Sequence, residues 1–524
     1  MTSSAKAEVF SPTSEQLDLI SAAANTSSSL MVQAYAGCAK TTSLILCAQA
    51  LPAVPTLALV FNAKNKKEME AKFPSHIDCK TMNGLGHGAW AKTIGKRLIV
   101  DDKKQGSLVT AVFREAGHQG PKDDWDYVRR LVGLAMQNGL VPDGMAGKGL
   151  IPDNWDSWSA LAFEIGPVQE DLIQLAKAVL KASIKQSIAG TISYDDQIYM
   201  SALFGGIFHK YPIVMVDEAQ DLSPLNHIQL SKCSPTAGRL IVVGDKHQSI
   251  YAFRGADSNS MSKIRSLKTD WIDLSLSETF RCPKVVVARQ QEHVPGFRAF
   301  HTNIDGVFHT LRRPKEILPP EPFWSWQDIQ TLRQAHDAST VGMICRNNSP
   351  LFSTAFRLIR QGVGCTMLGR DIGKSLASLV KKIVPSDDVK SADCIKLITS
   401  WMDREVDLAR ANDNEAKADA AHDKGHSLLA VIDSAQNVHN RAGLLARLEE
   451  IFNNPHGLVT LSTIHKVKGL EYDLVVFLDP WRIPSKKSFD DPQAYQQEMN
   501  LRYVGETRAK KVLVHANAED LRRV

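Results

Sequence analysis

Five residues in the first half of this 524-residue chain are of the types that handle a nucleotide phosphate: Lys40, Thr41, Asp217, Glu218 and Gln248. Lys40 and Thr41 end a small-residue turn, Ala34-Tyr35-Ala36-Gly37-Cys38-Ala39. The apolar run Leu30-Met31-Val32 precedes the turn and Leu44-Ile45-Leu46 follows it, which predicts strand, phosphate loop and helix. Backbone N–H groups of Ala36, Gly37, Cys38 and Ala39 would point at the phosphates, and the helix start adds partial positive charge. Lys40 would reach the β- and γ-phosphates, the Thr41 hydroxyl would sit on Mg²⁺, and Thr42 belongs to the same binding turn. Taken alone, the stretch also reads as an ordinary strand-to-helix turn with an exposed lysine. The usual pattern, Gly-x4-Gly-Lys-Ser/Thr, has glycine where Ala34 and Ala39 stand, and a Cβ at position 39 must clear the phosphates.

A second apolar run, Ile213-Val214-Met215-Val216, ends in Asp217-Glu218-Ala219-Gln220-Asp221. Asp217 would hold Mg²⁺ through water and Glu218 would polarise the attacking water as general base. After one strand alone such acidic groups are as readily a solvated turn; paired with the phosphate loop, the chemical reading gains. A third run, Leu240-Ile241-Val242-Val243, leads to Gly244-Asp245-Lys246-His247-Gln248, where Gln248 is placed to sense the γ-phosphate. Beyond it, Tyr251 and Phe253 lead to the basic Arg254. Rings that stack nucleobases contribute about 1–3 kcal/mol per base; the alternative is that both rings are core.

These residues require buried parallel strands that end on one edge, where open α/β sheets place ligands. Thr56–Phe61 reads as another such strand, followed by the basic stretch 62–67, whose plainer reading is a solvated helix start. Residues 79–87 read as a short segment ending in a glycine-rich loop. From 88 to 205 helical periodicity dominates, an inserted helical domain, and Ser193-Tyr194-Asp195-Asp196 marks the return toward the sheet. A second α/β half follows, with a strand at 340–346, a helix over 352–359, and a strand, basic helical turn and strand over 458–478. It is interrupted by a polar helical insertion, and the proline-rich 311–323 is a loop or linker. The expected organisation is α/β with two parallel-sheet domains, 1–87 with 206–265 and 266–375 with 456–524. Each carries a mainly helical insertion, 88–205 and 376–455.

Net charge is +5 with pI near 8.6, which permits a nucleic-acid groove without demanding one. Eight scattered cysteines without a C-x-x-C pair suit a reducing compartment rather than a disulfide scaffold or zinc site. His422 and His426 are four apart, but no further ligand accompanies them, so no metal is assigned there. No signal-peptide stretch and no run of about 18 apolar residues is present. A soluble intracellular protein without a membrane partner is expected, in the cytoplasm of a bacterial or phage-infected cell, with the nucleus also open.

The set AYAGCAKTT, VDEAQD, VVGDKHQSIYAFRGAD, ETFRCP, STIHKVKGLEYD and LRYVGETRAKK resembles the ordered motifs of UvrD/Rep-type superfamily-1 DNA helicases over nearly the whole chain. The layout is similar to compact F-box-type and phage-encoded members, without an F-box segment. The resemblance implies two RecA-like P-loop NTPase domains with ATP between them, Mg²⁺, and 3′→5′ movement on single-stranded DNA and at single-strand/duplex junctions. Carried over by position, Gln16 resembles the adenine-reading glutamine; otherwise it reads as a helix residue. Phe280 would stack on adenine and Arg281 would contact the γ-phosphate. Glu471 would contact the ribose. Arg508, presented by a helix, resembles the arginine finger, a role worth roughly 10³–10⁵ in rate in other NTPases. Lys40, Glu218, Gln248, Arg281 and Arg508 are thus the expected catalytic set. DNA contacts are expected from Phe61, Asn62, Thr81, His87, Tyr251, Phe253, Arg254, Arg346 and His465, holding phosphates and stacking bases with weak sequence preference.

Ala39 and Phe253, where the family more often has glycine and tryptophan, and the short second insertion depart from the pattern. Two other readings therefore accompany the helicase: a single-strand translocase that strips proteins, and a partner-dependent DNA-binding module with a degenerate ATPase. An accessory replication, repair or nuclease partner fits the family, as does a monomer or loose oligomer.

Overall fold

The computed structural model describes residues 11–250, 259–311, 323–361, 363–368, 372–411, 415–433, 438–452, 458–485 and 488–521. The chain divides into two compact units, Met1–Ser277 and Glu278–Val524.

Unit 1 opens with α1 (Ser14–Asn25), β1 (Ser29–Ala34), α2 (Lys40–Ala50), β2 (Thr56–Val60), α3 (Ala63–Glu70), β3 (Ile77–Thr81) and α4 (Met82–Ile94). Next come the short strand β4 (Ile99–Val100), α5 (Lys104–Glu115), α6 (Lys122–Gln137), α7 (Trp155–Phe163), α8 (Glu170–Ala189), the short β5 (Thr191–Ile192) and α9 (Tyr194–Leu203). The chain returns with β6 (Ile213–Val216), α10 (Pro224–Cys233), β7 (Arg239–Gly244), α11 (Ser260–Arg265) and β8 (Trp271–Leu276). Six strands form one parallel sheet in the order β3-β2-β6-β7-β1-β8. Strand alternation sends Leu30, Val32 and Ala34 to one face with Leu19 and Leu44, and Met31 to the other with Leu57, Val214 and Val216. Both faces are therefore covered, which is why these strands read as continuous apolar runs.

The helices between α4 and α9 have their own core around Trp158, Val109, Val132, Ile173 and Leu180. Inside it, Lys104 Nζ donates to Asp196 Oδ2 at 2.7 Å, to Ser187 Oγ at 2.6 Å and to the Ser183 carbonyl at 2.9 Å. Asp196 also closes the capping box of α9 with Ser193, so one buried pair ties α5, α8 and α9 together.

Three expectations need correction. The stretch ending at His87 is not a glycine-rich loop: Thr81 caps α4, which runs through Gly84, Gly86 and Gly88. Gly86 is there for close packing, since a Cβ would collide with the Gln197 carbonyl on α9. Ser193–Asp196 starts α9 rather than a return to the sheet, which comes at Ile213. The second half begins at 278 rather than 266, because β8 pairs with β1 along its whole length.

Unit 2 contains β9 (Glu278–Thr279), α12 (Lys284–Gln290), β10 (Arg298–Ala299), β11 (Val307–Leu311), α13 (Trp326–Ala335), β12 (Val341–Cys345), α14 (Asn348–Arg360) and β13 (Cys365–Met367). Four helices follow, α15 (Ile372–Ile383), α16 (Ser391–Ala411), α17 (Glu415–Asp433) and α18 (Arg441–Phe452). The unit ends with β14 (Val459–Thr463), α19 (Ile464–Val467), β15 (Tyr472–Leu478), α20 (Pro492–Glu506) and β16 (Ala509–Ala516). Its six-stranded sheet is also parallel, in the order β11-β16-β15-β12-β14-β13. All eight cysteines are buried and unbridged. Among the described residues, no helix is long and apolar enough to cross a membrane.

Candidate functional site

In unit 1 the sheet order places the C-terminal ends of β6, β7 and β1 side by side. Each releases a polar residue there: Asp217 after β6, Asp245 after β7, and the turn to Lys40 after β1. The turn rounds Gly37 at φ 73° and Ala39 at φ 58°, ψ 40°. Ala39 thus occupies the left-handed region that costs any residue with a Cβ, and this explains the glycine in the general pattern. Cys38 is buried and its thiol donates to the Tyr35 carbonyl at 2.8 Å, which closes the turn on itself. Thr41 and Thr42 lie in the first turn of α2, as the loop reading requires.

Lys40 Nζ lies 3.6 Å from Glu218 Oε1. Burial opposes the lysine's charge, but Glu218 and then Asp245 outweigh it and raise its pKa above the ordinary value. Glu218 sits at φ 50°, and its Oε2 accepts from Gln220 Nε2 at 2.6 Å. Gln220 Oε1 in turn accepts from the Asp245 backbone N–H at 2.9 Å. Asp245 is fully buried; its carboxylate accepts from Gln33 Nε2 at 3.0 Å and from Gln248 Nε2 at 2.7 Å. A continuous set of polar contacts therefore runs from Lys40 through Glu218, Gln220 and Asp245 to Gln248. Gln33, Gln220 and Asp245 were not singled out in the sequence, although Asp245 ends an apolar strand just as Asp217 does.

Asp217 is 4% exposed; its Oδ1 accepts from the Glu218 N–H at 3.0 Å, while Oδ2 has no hydrogen-bond partner among the described residues. Burial, then the Glu218 charge, push its pKa up to about 7, with Lys40 pulling against them. A buried carboxylate oxygen without a donor fits a divalent cation, so the residues present are compatible with Mg²⁺ held by Asp217 and Thr41. Gln16 is buried: its Oε1 accepts from the Thr13 N–H at 3.0 Å and its Nε2 donates to Ser43 Oγ at 2.9 Å. It forms the capping box of α1 while standing against α2, the helix that carries Lys40.

In unit 2, Arg281 Nε donates to Glu471 Oε2 at 2.6 Å, so two residues expected to contact nucleotide pair with each other. Phe280 is 37% exposed, with the Phe300 ring centroid 4.7 Å away. Arg508 departs from the expectation. It follows α20 rather than projecting from it and is 1% exposed, its Nε donating to the Val504 carbonyl at 2.9 Å and its guanidinium to the Leu470 carbonyl at 3.4 Å. Chain direction explains this: the helix ends at Glu506, and β16 starts one residue after Arg508.

The expected DNA contacts fall in two groups, one in each unit. Phe61 and Asn62 follow β2, while Thr81 and His87 lie at the end of the adjacent β3 and in α4. Phe61 is 46% exposed and borders a cavity of about 400 Å³ with Met136, Ile198, Asp221 and Asn226. Asn62 Oδ1 accepts from the Asn65 N–H at 2.8 Å and Thr81 Oγ1 from the Gly84 N–H at 3.1 Å, so both cap helices. The His87 Nδ1 is 3.4 Å from Gln197 Nε2. In unit 2, Arg346 follows β12 and His465 lies in α19 after the adjacent β14. Arg346 is held by Glu498, with its NH2 2.6 Å from Oε1. Tyr251, Phe253 and Arg254 lie outside the described residues.

A lysine-bearing loop after β1, acidic residues after β6 and parallel order define a P-loop NTPase, and the two sheets make it one with two RecA-like units. Residues 170–268 match the family model described as the UvrD/REP helicase N-terminal domain, and residues 404–519 match the UvrD-like helicase C-terminal domain. Both matches are to domains of UvrD/Rep-type superfamily-1 helicases, which this chain resembles. Among relatives, it is 24% identical to F-box DNA helicase protein 1 of Schizosaccharomyces pombe over 530 residues, covering 96% of this chain and 57% of that protein. It is 21% identical to a probable DNA helicase II homolog of Rickettsia conorii, covering 88% of this chain and 85% of that one. With ATP-dependent DNA helicase UvrD1 of Mycobacterium leprae the identity is 22%, covering 94% and 81%.

Proposed function

We propose that this chain is an ATP-dependent DNA helicase that moves 3′→5′ along single-stranded DNA and separates duplex at junctions. The observation that carries the reading is the cluster at the sheet edge, where Lys40 and Glu218 stand 3.6 Å apart beside the unpartnered oxygen of Asp217. Lys40 binds the phosphates, and Glu218 takes the proton of the attacking water. Asp217 and Thr41 hold Mg²⁺, which when bound neutralises phosphate charge. Gln248, fixed by Asp245, senses the γ-phosphate. In unit 2, Phe280, Arg281, Glu471 and Arg508 answer the nucleotide; Arg281 leaves Glu471 to do so, and Arg508 leaves its carbonyl partners. The grouping of Phe61, Asn62 and Thr81, and of Arg346, at strand ends, with His87 and His465 on the helices that follow adjacent strands, supports the single-strand contact. Tyr251, Phe253 and Arg254 belong to the same proposal by their motif.

The test is strand displacement on duplexes with a 3′ or a 5′ single-stranded tail, with and without ATP. The proposal expects unwinding from the 3′ tail only, and only with ATP; unwinding from the 5′ tail refutes the polarity. A second reading, a translocase that hardly unwinds, is favoured by the compactness of the second insertion, four helices from α15 to α18. Displacement of a bound protein without strand separation distinguishes it.

A further inference from the structure

Glu506 is the last residue of α20 and is fully buried. A carboxylate at a helix C-terminus meets the negative end of the helix dipole, so without compensation it is unfavourable there. Its compensation comes from three elements of unit 2. Arg289 of α12 donates through Nε at 3.1 Å to Oε2 and through NH2 at 3.3 Å to Oε1; Gln290 donates to Oε2 at 2.8 Å. Arg502, one turn back on α20, donates to Oε1 at 3.1 Å. His515 of β16 brings Nε2 to 3.1 Å from Oε1. The Arg289 guanidinium also lies 3.8 Å from the centre of the Phe308 ring, which holds it in place.

The position of this hub matters. Thr507 and Arg508 follow it directly. On the other side, α12 begins just after Arg281, Cys282 and Pro283, and the Cys282 thiol donates to the Thr507 carbonyl at 3.5 Å. The stretches carrying Arg281 and Arg508 thus meet at one peptide, and Glu506 binds the element downstream of the first to the element upstream of the second. A network of this kind has two consequences: satisfied, it fixes geometry; deprived of its anion, it leaves the partly exposed Arg289 and Arg502 without the partner that ties their elements together.

We infer that Glu506 is a positioning residue which holds Arg281 and Arg508 in register with each other, so that unit 2 presents both to the nucleotide together. The inference rests on the proposed roles of those two arginines. In this reading Glu506 acts through α12 and α20.

The test uses the full chain with Glu506→Gln and, because that variant leaves a buried cluster without its charge, Arg289→Gln as a second, more peripheral change. Steady-state ATP hydrolysis with single-stranded DNA should show kcat reduced at least about tenfold, with KM for ATP and affinity for a labelled oligonucleotide within about twofold. Hydrogen exchange in the same variants should accelerate together at 279–284 and at 505–509. Unchanged kcat, or faster exchange at only one of the two segments, overturns the inference. If the unsubstituted chain does not hydrolyse ATP, the helicase reading fails; the exchange result still decides whether Glu506 couples the two segments.

Discussion

Lys40 and Glu218, proposed above as the phosphate lysine and the general base, are ion-paired at 3.6 Å. Nucleotide must take Lys40 from Glu218, and that exchange releases the carboxylate toward water. Glu218→Gln removes the base and frees the lysine in one step. Hydrolysis should fall by about 10²–10⁴, while a fluorescent ATP analogue binds at least as tightly as before. Weaker nucleotide binding in the variant would contradict the pairing as a competitor of phosphate.

Ala39 holds φ 58° in the turn before Lys40, where a Cβ is strained. Ala39→Gly should raise unfolding free energy by about 0.5–1 kcal/mol and strengthen ATP binding. Urea unfolding with a nucleotide titration checks both. A lower midpoint would mean that the loop's stiffness outweighs its strain.

Lys104 and Asp196 form a fully buried pair in the first insertion. Burial pulls the lysine below its ordinary pKa, against the raising influence of Asp196. Lys104→Ala leaves a carboxylate buried beside hydroxyls and carbonyls, so it should destabilise by about 3–5 kcal/mol. Lys104→Met, which keeps the volume, should destabilise nearly as much, since the loss is one of charge compensation. Guanidinium unfolding of the two variants checks the order.

Glu506 is buried, which alone would raise its pKa, but His515 and Arg289 hold it down to about 2. A folded pKa below the unfolded value gives stability that is present above about pH 4.3 and is lost as pH falls toward 2. The contribution is about 3 kcal/mol at neutral pH. Glu506→Gln should therefore show a flatter fall in stability between pH 4.3 and 2, read from unfolding midpoints across that range. Parallel pH curves for the two proteins would refute the assignment.

Much of this was readable from the chain because parallel sheets bury both faces. Leu30–Val32, Ile213–Val216 and Leu240–Val243 announce themselves as apolar runs, and the first polar residue after each falls at the ligand edge. Helix–helix packing was less legible. Gly84, Gly86 and Gly88 look like a loop in one dimension, and only contact with Gln197 on α9 explains why glycine stands at 86 within a helix. Strand pairing was invisible at the boundary, since nothing in Trp271–Leu276 says that its partner is β1. The fate of Arg508 was also hidden: its carbonyl partners at Leu470 and Val504 are defined by the turn from α20 into β16. Gln33 and Gln220 carry no spacing signal of their own and become visible as a network with Asp245 only when three strand ends meet.

The most direct test of the central claim is ATP hydrolysis with Mg²⁺, measured with and without single-stranded DNA, in the unsubstituted chain and in Lys40→Ala. The account predicts hydrolysis that DNA stimulates at least about tenfold and that the substitution abolishes. Hydrolysis absent under both conditions, or unchanged in Lys40→Ala, would contradict it.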